Sequence, residues 1–238
     1  MIAFLVLAAA ILAAACGGTV PTEQVTPLSV AAQEATPPPL EPTRAASRSK
    51  VPSEVSSQFE VGMILQAQGR LAEAISTYDT VIGLTPDFGL AYTNRGRAYI
   101  VLRQYDTAVK DLDEAIRLDP DDAIARSNRG LAYWRQGHTD RALDELNEAI
   151  NLDPNLAFAY VDRGMIYGEM GEYERAKREF DAALKINPRF ALAYYNRAIA
   201  HTSLGNDAAA VEDVERAVKM GIRRSQIEAV IEEIKSQR

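Results

Sequence analysis

One cysteine, Cys16, and two histidines, His138 and His201, are all that this sequence offers of the side chains that most often bind transition metals. A single thiol cannot close a disulfide within the chain, nor build a cysteine-based zinc site, which needs several ligands at once. Basic excess is missing too. Lys and Arg number 26 against 33 Asp and Glu, a net charge of −7, whereas a general nucleic-acid binder needs a basic face to displace phosphate counterions. No G-x-S-x-G, phosphate-binding loop or H-E-x-x-H occurs. The acids from Asp119 to Asp122 lack the spacing of a calcium loop and read as turn and capping residues. His138 falls in a turn, and His201 takes a core aromatic position, where a satisfied core histidine is expected rather than a base. These absences speak against an enzyme and imply neither cofactor nor metal.

Proline is abundant but uneven. Seven of the eleven prolines lie before residue 53, and the other four are Pro86, Pro120, Pro154 and Pro188, each 34 residues after the last. Ahead of the first cluster runs an unbroken apolar stretch, 1–15, too short for the roughly 20 residues of a membrane-spanning helix. It closes on Leu12-Ala13-Ala14-Ala15-Cys16, small residues where a signal peptidase cuts. This resembles the lipobox of bacterial lipoproteins. The resemblance implies a signal peptide over 1–15, lipid attachment (palmitate among the acyl chains) at Cys16, and an extracytoplasmic, membrane-tethered protein. Ordinary secretion after an A-x-A cut remains the alternative. Segment 16–52 combines Pro, Thr, Ser, Ala and Glu without an aromatic residue. Such a composition buries too little apolar surface to offset its ordering entropy, so it is expected to be a disordered linker.

A 34-residue frame set by the later prolines gives blocks 55–88, 89–122, 123–156, 157–190 and 191–222. Their eighth residues are Gly62, Gly96, Gly130, Gly164 and Ala198; their twentieth are Ala74, Ala108, Ala142, Ala176 and Ala210. The twenty-seventh are Val81, Ala115, Ala149, Ala183 and Ala217, with tyrosine recurring at positions 4 and 11. Each block carries two apolar stripes of helical period. Gly69, Gly137, Gly171 and Gly205 lie between the stripes, where a left-handed residue ends a helix. Proline then ends the second helix. This pattern resembles the tetratricopeptide repeat (TPR) family, whose signature has small residues at 8, 20 and 27, an aromatic at 11 and proline at 32. The resemblance spans Val55 to about Gly221 and implies an all-α fold, an α-solenoid of five helix hairpins. Beyond it, Ser225 and Glu228 have the spacing of a capping box. They predict a capping helix over about 225–236 that buries Ile227, Val230, Ile231 and Ile234, so that the TPR domain covers 53–238.

Position 7, usually leucine in the family, is Arg95, Arg129, Arg163 and Arg197, and 16 residues later stand Asp111, Glu145, Glu179 and Asp213. In the first block both charges vanish together, leaving Val61 and Thr77. An ion pair between the two helices of each later hairpin is therefore expected, more a device for register than for stability.

In the TPR family, positions 2, 5, 6, 9, 12 and 13 of the first helix line a concave peptide groove. Carried onto this sequence, they name Asn94, Asn128, Asp162 and Asn196 at position 6, and Arg97, Leu131, Trp134, Arg135, Met165 and Tyr195 among the rest. Trp134 is the expected anchor. The lysine–asparagine clamp of a further TPR subclass is absent: position 5 holds Phe59, Thr93, Ser127, Val161 and Tyr195. The resemblance implies an adaptor that captures a peptide segment of another cell-envelope protein, with self-association, for instance into a dimer, as the structural alternative.

Overall fold

The computed structural model describes residues 52–237. Among them are eleven helices and no strand: α1 (Ser53–Ala67), α2 (Leu71–Leu84), α3 (Gly89–Val101), α4 (Tyr105–Leu118), α5 (Ala123–Arg135), α6 (Thr139–Leu152), α7 (Ala157–Glu169), α8 (Tyr173–Ile186), α9 (Ala191–Ser203), α10 (Asp207–Lys219) and α11 (Arg224–Ser236). This is the all-α helical-repeat architecture that the 34-residue period implies. The expected signal peptide, the Cys16 attachment point and the linker up to Val51 lie outside the described residues.

Turn chemistry repeats with the sequence. The residue before each of the four later prolines is extended, for example Asp119 at φ −134° and ψ 94°, as a following proline ring demands. The Asp119, Asp153 and Asn187 side chains then accept from the backbone N–H two residues on, at 3.2, 2.9 and 3.0 Å. Asp122 caps α5 by accepting from the Ala125 N–H at 2.9 Å. Within the hairpins, Gly69, Gly137, Gly171 and Gly205 all have positive φ, near 80°. The second block has no glycine at that place and uses Arg103 at φ 58°, a left-handed conformation that costs a side-chain-bearing residue about 1 kcal/mol.

Two compact units divide the described residues, 52–159 and 160–237, with the boundary inside α7. In the first, α1 packs on α2, α3 on α4 and α5 on α6, and each new hairpin sets its first helix mainly against the second helix of the one before. Ala74, Ala108 and Ala142 face the partner helix with no exposed surface, as do Val81, Ala115 and Ala149. Glycine permits the closest approach: a Cβ on Gly96 would lie 2.9 Å from Leu112 Cγ, and one on Gly62 would strike the Tyr78 ring. Leu112 and Tyr78 are themselves fully buried.

In the second unit, α8 packs on α9 and α9 on α10, with Ala176, Ala183, Ala210 and Ala217 in the core. The final helix departs from the pattern: α11 lies mainly on α9 and only lightly on α10. Position 32 of the fifth block is Ile222, not proline, and the chain leaves α10 through Gly221 at φ 101°. Ile227, Ile231 and Ile234 are buried as expected, while Val230 is half-buried. The expected capping box does not form. The helix starts at Arg224, its N-cap is Arg223, and no side chain caps it. Arg224 reaches Glu215 of α10 at 2.7 Å and Glu228 at 3.3 Å, which takes the carboxylate that the box would have used.

Candidate peptide-binding face

The expected ion pairs are all present. Arg95 donates to both oxygens of Asp111 at 2.7 and 2.8 Å, and Arg197 to both of Asp213 at 2.6 and 2.7 Å. Arg129 meets Glu145 at 2.6 Å and Arg163 meets Glu179 at 2.7 Å. Hydrogen bonding to Asp111 pushes the Arg95 pKa up, whereas burial pushes that of Asp111 up despite its partner. The two-bond geometry decides for the ionised pair.

Sequence reasoning missed half of the arrangement. Arg95 also bonds Asp79, Arg129 bonds Asp113 at 2.6 Å, and Arg197 bonds Asp181 at 2.6 Å. These acids stand 16 residues before their arginine, on the second helix of the preceding block. Each such guanidinium therefore joins two carboxylates, one from its own hairpin and one from the hairpin before. The signal was an acid at position 25, visible in the frame but meaningful only once the hairpins stack. Tyrosine at position 4 flanks the cation from one turn earlier, with the guanidinium 5.4 to 5.6 Å from the ring centroid at Tyr92, Tyr160 and Tyr194.

These pairs tie the first helix of each of the four later blocks to its neighbours. The groove positions divide unevenly. In the first unit Met63 on α1, Leu90 and Arg97 on α3, and Ile124, Asn128, Leu131 and Arg135 on α5 keep part of their surface exposed. In the second unit Met165, Tyr195 and Ile199 are buried, and Asp162 is half-buried. Trp134 is 7% exposed, with the Arg135 guanidinium 4.5 Å from its ring, so it is largely a packed residue. The asparagines at position 6 are not alike. Asn94 is 2% exposed and Asn196 0%, and each turns its Nδ2 back to its own helix, donating to Leu90 O at 2.8 Å and Leu192 O at 3.0 Å. Asn128 keeps part of its surface exposed, but its Nδ2 is buried and finds no acceptor.

The remaining titratable groups fall outside this face or support it. Burial pushes the Asp122 carboxyl up, although it accepts from Ala125 N–H and from the Thr93 hydroxyl at 2.8 Å. Burial also pushes His201 down; it is half-buried, and its Nδ1 lacks a partner, so it is not the satisfied core histidine that its position suggested. His138, by contrast, is exposed in the turn before α6, as expected. Among the described residues no cluster of three metal-binding side chains occurs, and no helix is long and apolar enough to cross a membrane.

Comparison with known proteins accords with this geometry. A tetratricopeptide-repeat family model matches residues 93–157 and 161–225, and a second model of the same repeat matches 55–88. No curated protein sequence matches the chain. Among solved structures, MamA is 26% identical over 67% of this chain and 94% of its own, with a TM-score of 0.54. A thermophilic TPR protein of Thermus thermophilus is 18% identical over 76% of this chain and 98% of its own, with a TM-score of 0.67. YrrB, a TPR protein with an unusual peptide-binding site, is 22% identical over 72% of this chain and 89% of its own, with a TM-score of 0.51.

Proposed function

Since the chain belongs to the tetratricopeptide-repeat family, we propose that it is a binding module rather than an enzyme, capturing a segment of another protein on the outward side of α1, α3 and α5. The carrying observation is the cluster of half-buried groove residues in the first unit: Met63, Leu90, Arg97, Ile124, Leu131 and Arg135. A repeat fold could have buried these positions, as α9 does. Left part-exposed on adjacent helices, they offer apolar area with polar groups interspersed, the make-up of a peptide-binding surface. YrrB supplies a precedent for a peptide-binding site on this fold. Asn128 is the position-6 asparagine that keeps part of its surface exposed, although its Nδ2 is buried. Asn94, Asn196 and Trp134, being buried, contribute less.

We place this module on the outer side of a bacterial membrane, held by a lipid on Cys16, so that its partner is a protein of the cell envelope. The support is the sequence Leu12-Ala13-Ala14-Ala15-Cys16 after an apolar run. Cys16→Ser then moves the protein out of the membrane fraction; retention there overturns the anchor. For the groove, crosslinking in the native cell followed by mass spectrometry identifies the partner, and Leu131→Asp abolishes its capture while leaving helicity intact. Capture that survives Leu131→Asp overturns the site.

Self-association is the second reading. It is favoured by Val61 and Ile64, one turn apart on α1 and each about half exposed. Light scattering over a concentration range separates the two, because only self-association makes the mass of the pure protein rise with concentration.

A further inference from the structure

We infer that Arg97 is the anion subsite of this face, taking the side-chain carboxylate of an aspartate or glutamate from the bound segment; the inference rests on the groove reading above. The four position-7 arginines each meet a carboxylate within 2.7 Å. Arg97, two residues beyond Arg95 on α3, meets none and makes no hydrogen bond or ion pair among the described residues. The Tyr78 hydroxyl is the one titratable group among them close enough to act on it. That hydroxyl donates elsewhere, to Gln66 Oε1 at 2.9 Å. Burial pushes the Arg97 guanidinium down to about 10. A part-buried cation without a counter-charge weakens a fold.

The chemistry of the missing partner follows from the surroundings. Met63 and Leu90 pack on the same apolar cluster as Tyr78, so the guanidinium stands in a largely apolar setting. A planar fork of donors suits an oxyanion, carboxylate or phosphate. Arg135, the other arginine at a groove position of the first unit, has its guanidinium 4.5 Å from the Trp134 ring centroid. One cation balances one carboxylate and leaves a phosphate dianion half-compensated. The occupant is therefore a largely apolar segment with a single acidic residue.

Fluorescein-labelled ten-residue peptide pools, largely apolar and carrying Glu, Gln or phosphoserine at the centre, test this by anisotropy against the full chain. The Glu pool is expected to bind about tenfold tighter than the Gln pool, the ratio that one charge-assisted pair supplies. Arg97→Met brings the Glu pool down to the Gln pool, and Arg97→Lys restores part of the preference. Equal binding of Glu and Gln pools to the native protein, a preference that survives Arg97→Met, or tighter binding of the phosphoserine pool each overturns the carboxylate subsite and leaves the groove. If no pool binds, the groove reading falls instead. The Arg97 Nε–Hε resonance then decides the subsite: a shift with N-acetylglutamate but not N-acetylglutamine supports it, and the same response to both overturns it.

Discussion

Gly164 on α7 stands against the Phe180 ring on α8, and replacing it by alanine measures how tightly the two helices of a hairpin must close. A Cβ there would sit 2.6 Å from Phe180 Cε1, 3.0 Å from its Cδ1 and 3.0 Å from Glu179 Cβ. Phe180 has no exposed surface, so the ring cannot swing into solvent. Alanine gains about 1 kcal/mol over glycine in a helix interior. Overpacking a filled core costs about 1–3 kcal/mol, and a contact this short against a confined ring belongs at the upper end. Gly164→Ala should therefore lose about 1–2 kcal/mol net. The fifth block carries the opposite solution: Ala198 replaces the glycine, and Val214 stands where the other blocks have Tyr78, Leu112, Leu146 and Phe180. Phe180→Val alone should cost about 2–4 kcal/mol by leaving a void. The double variant should lose about 1–2 kcal/mol less than the two single losses together, because the new methyl occupies space that the ring gave up. Urea unfolding followed by helical circular dichroism reads all three. Additive losses, or a Gly164→Ala protein more stable than the parent, would refute the size match.

Arg97→Met should raise stability by roughly 1–2 kcal/mol, since a part-buried cation without a counter-charge gives way to an apolar chain of similar length; a loss would show that Arg97 has a structural partner. Arg103→Gly should stabilise by about 0.5–1 kcal/mol by relieving a left-handed residue at φ 58°, and an unchanged unfolding midpoint counts against the strain. His201 titrates below its unfolded value of about 6.5 because burial disfavours its charge. On acidification the unfolded chain binds that proton first, so the stability it confers is complete above about pH 6.5 and is lost as pH falls from there through the lower folded value. His201→Tyr, which restores the tyrosine of the three middle blocks, should flatten the stability profile between about pH 7 and about pH 5; an identical slope in both proteins would refute the assignment.

Much of this fold could be read from the sequence because its repeat is local. The prolines at 34-residue spacing fix where the second helix of each of the first four blocks ends, and the small residues at positions 8, 20 and 27 fix which faces meet. The pairing of Arg95 with Asp111 was legible for the same reason, since both lie in one hairpin. Its second acid, Asp79, was not, because that contact exists only between stacked hairpins. The groove was harder. Family positions select the helix face, but Asn94 and Asn196 spend their amides on their own helices, and Met165 and Tyr195 are covered. What covers a residue depends on the next element's docking angle, which no single position encodes. The cap on α11 failed for an opposite reason: the Ser225 and Glu228 spacing was right, yet Arg224 could reach Glu215 across to α10.

Ile222 in place of the recurring proline also bears on how an array of this kind can grow. A duplicated block placed at the boundary after residue 88, 122, 156 or 190 would inherit an extended pre-proline joint at both ends. Placed after 222, it would leave α10 through a left-handed glycine and meet α9 already occupied by α11. Lengthening by duplication is thus open toward the amino-terminal blocks and closed at the carboxyl end, and an engineered sixth hairpin belongs upstream.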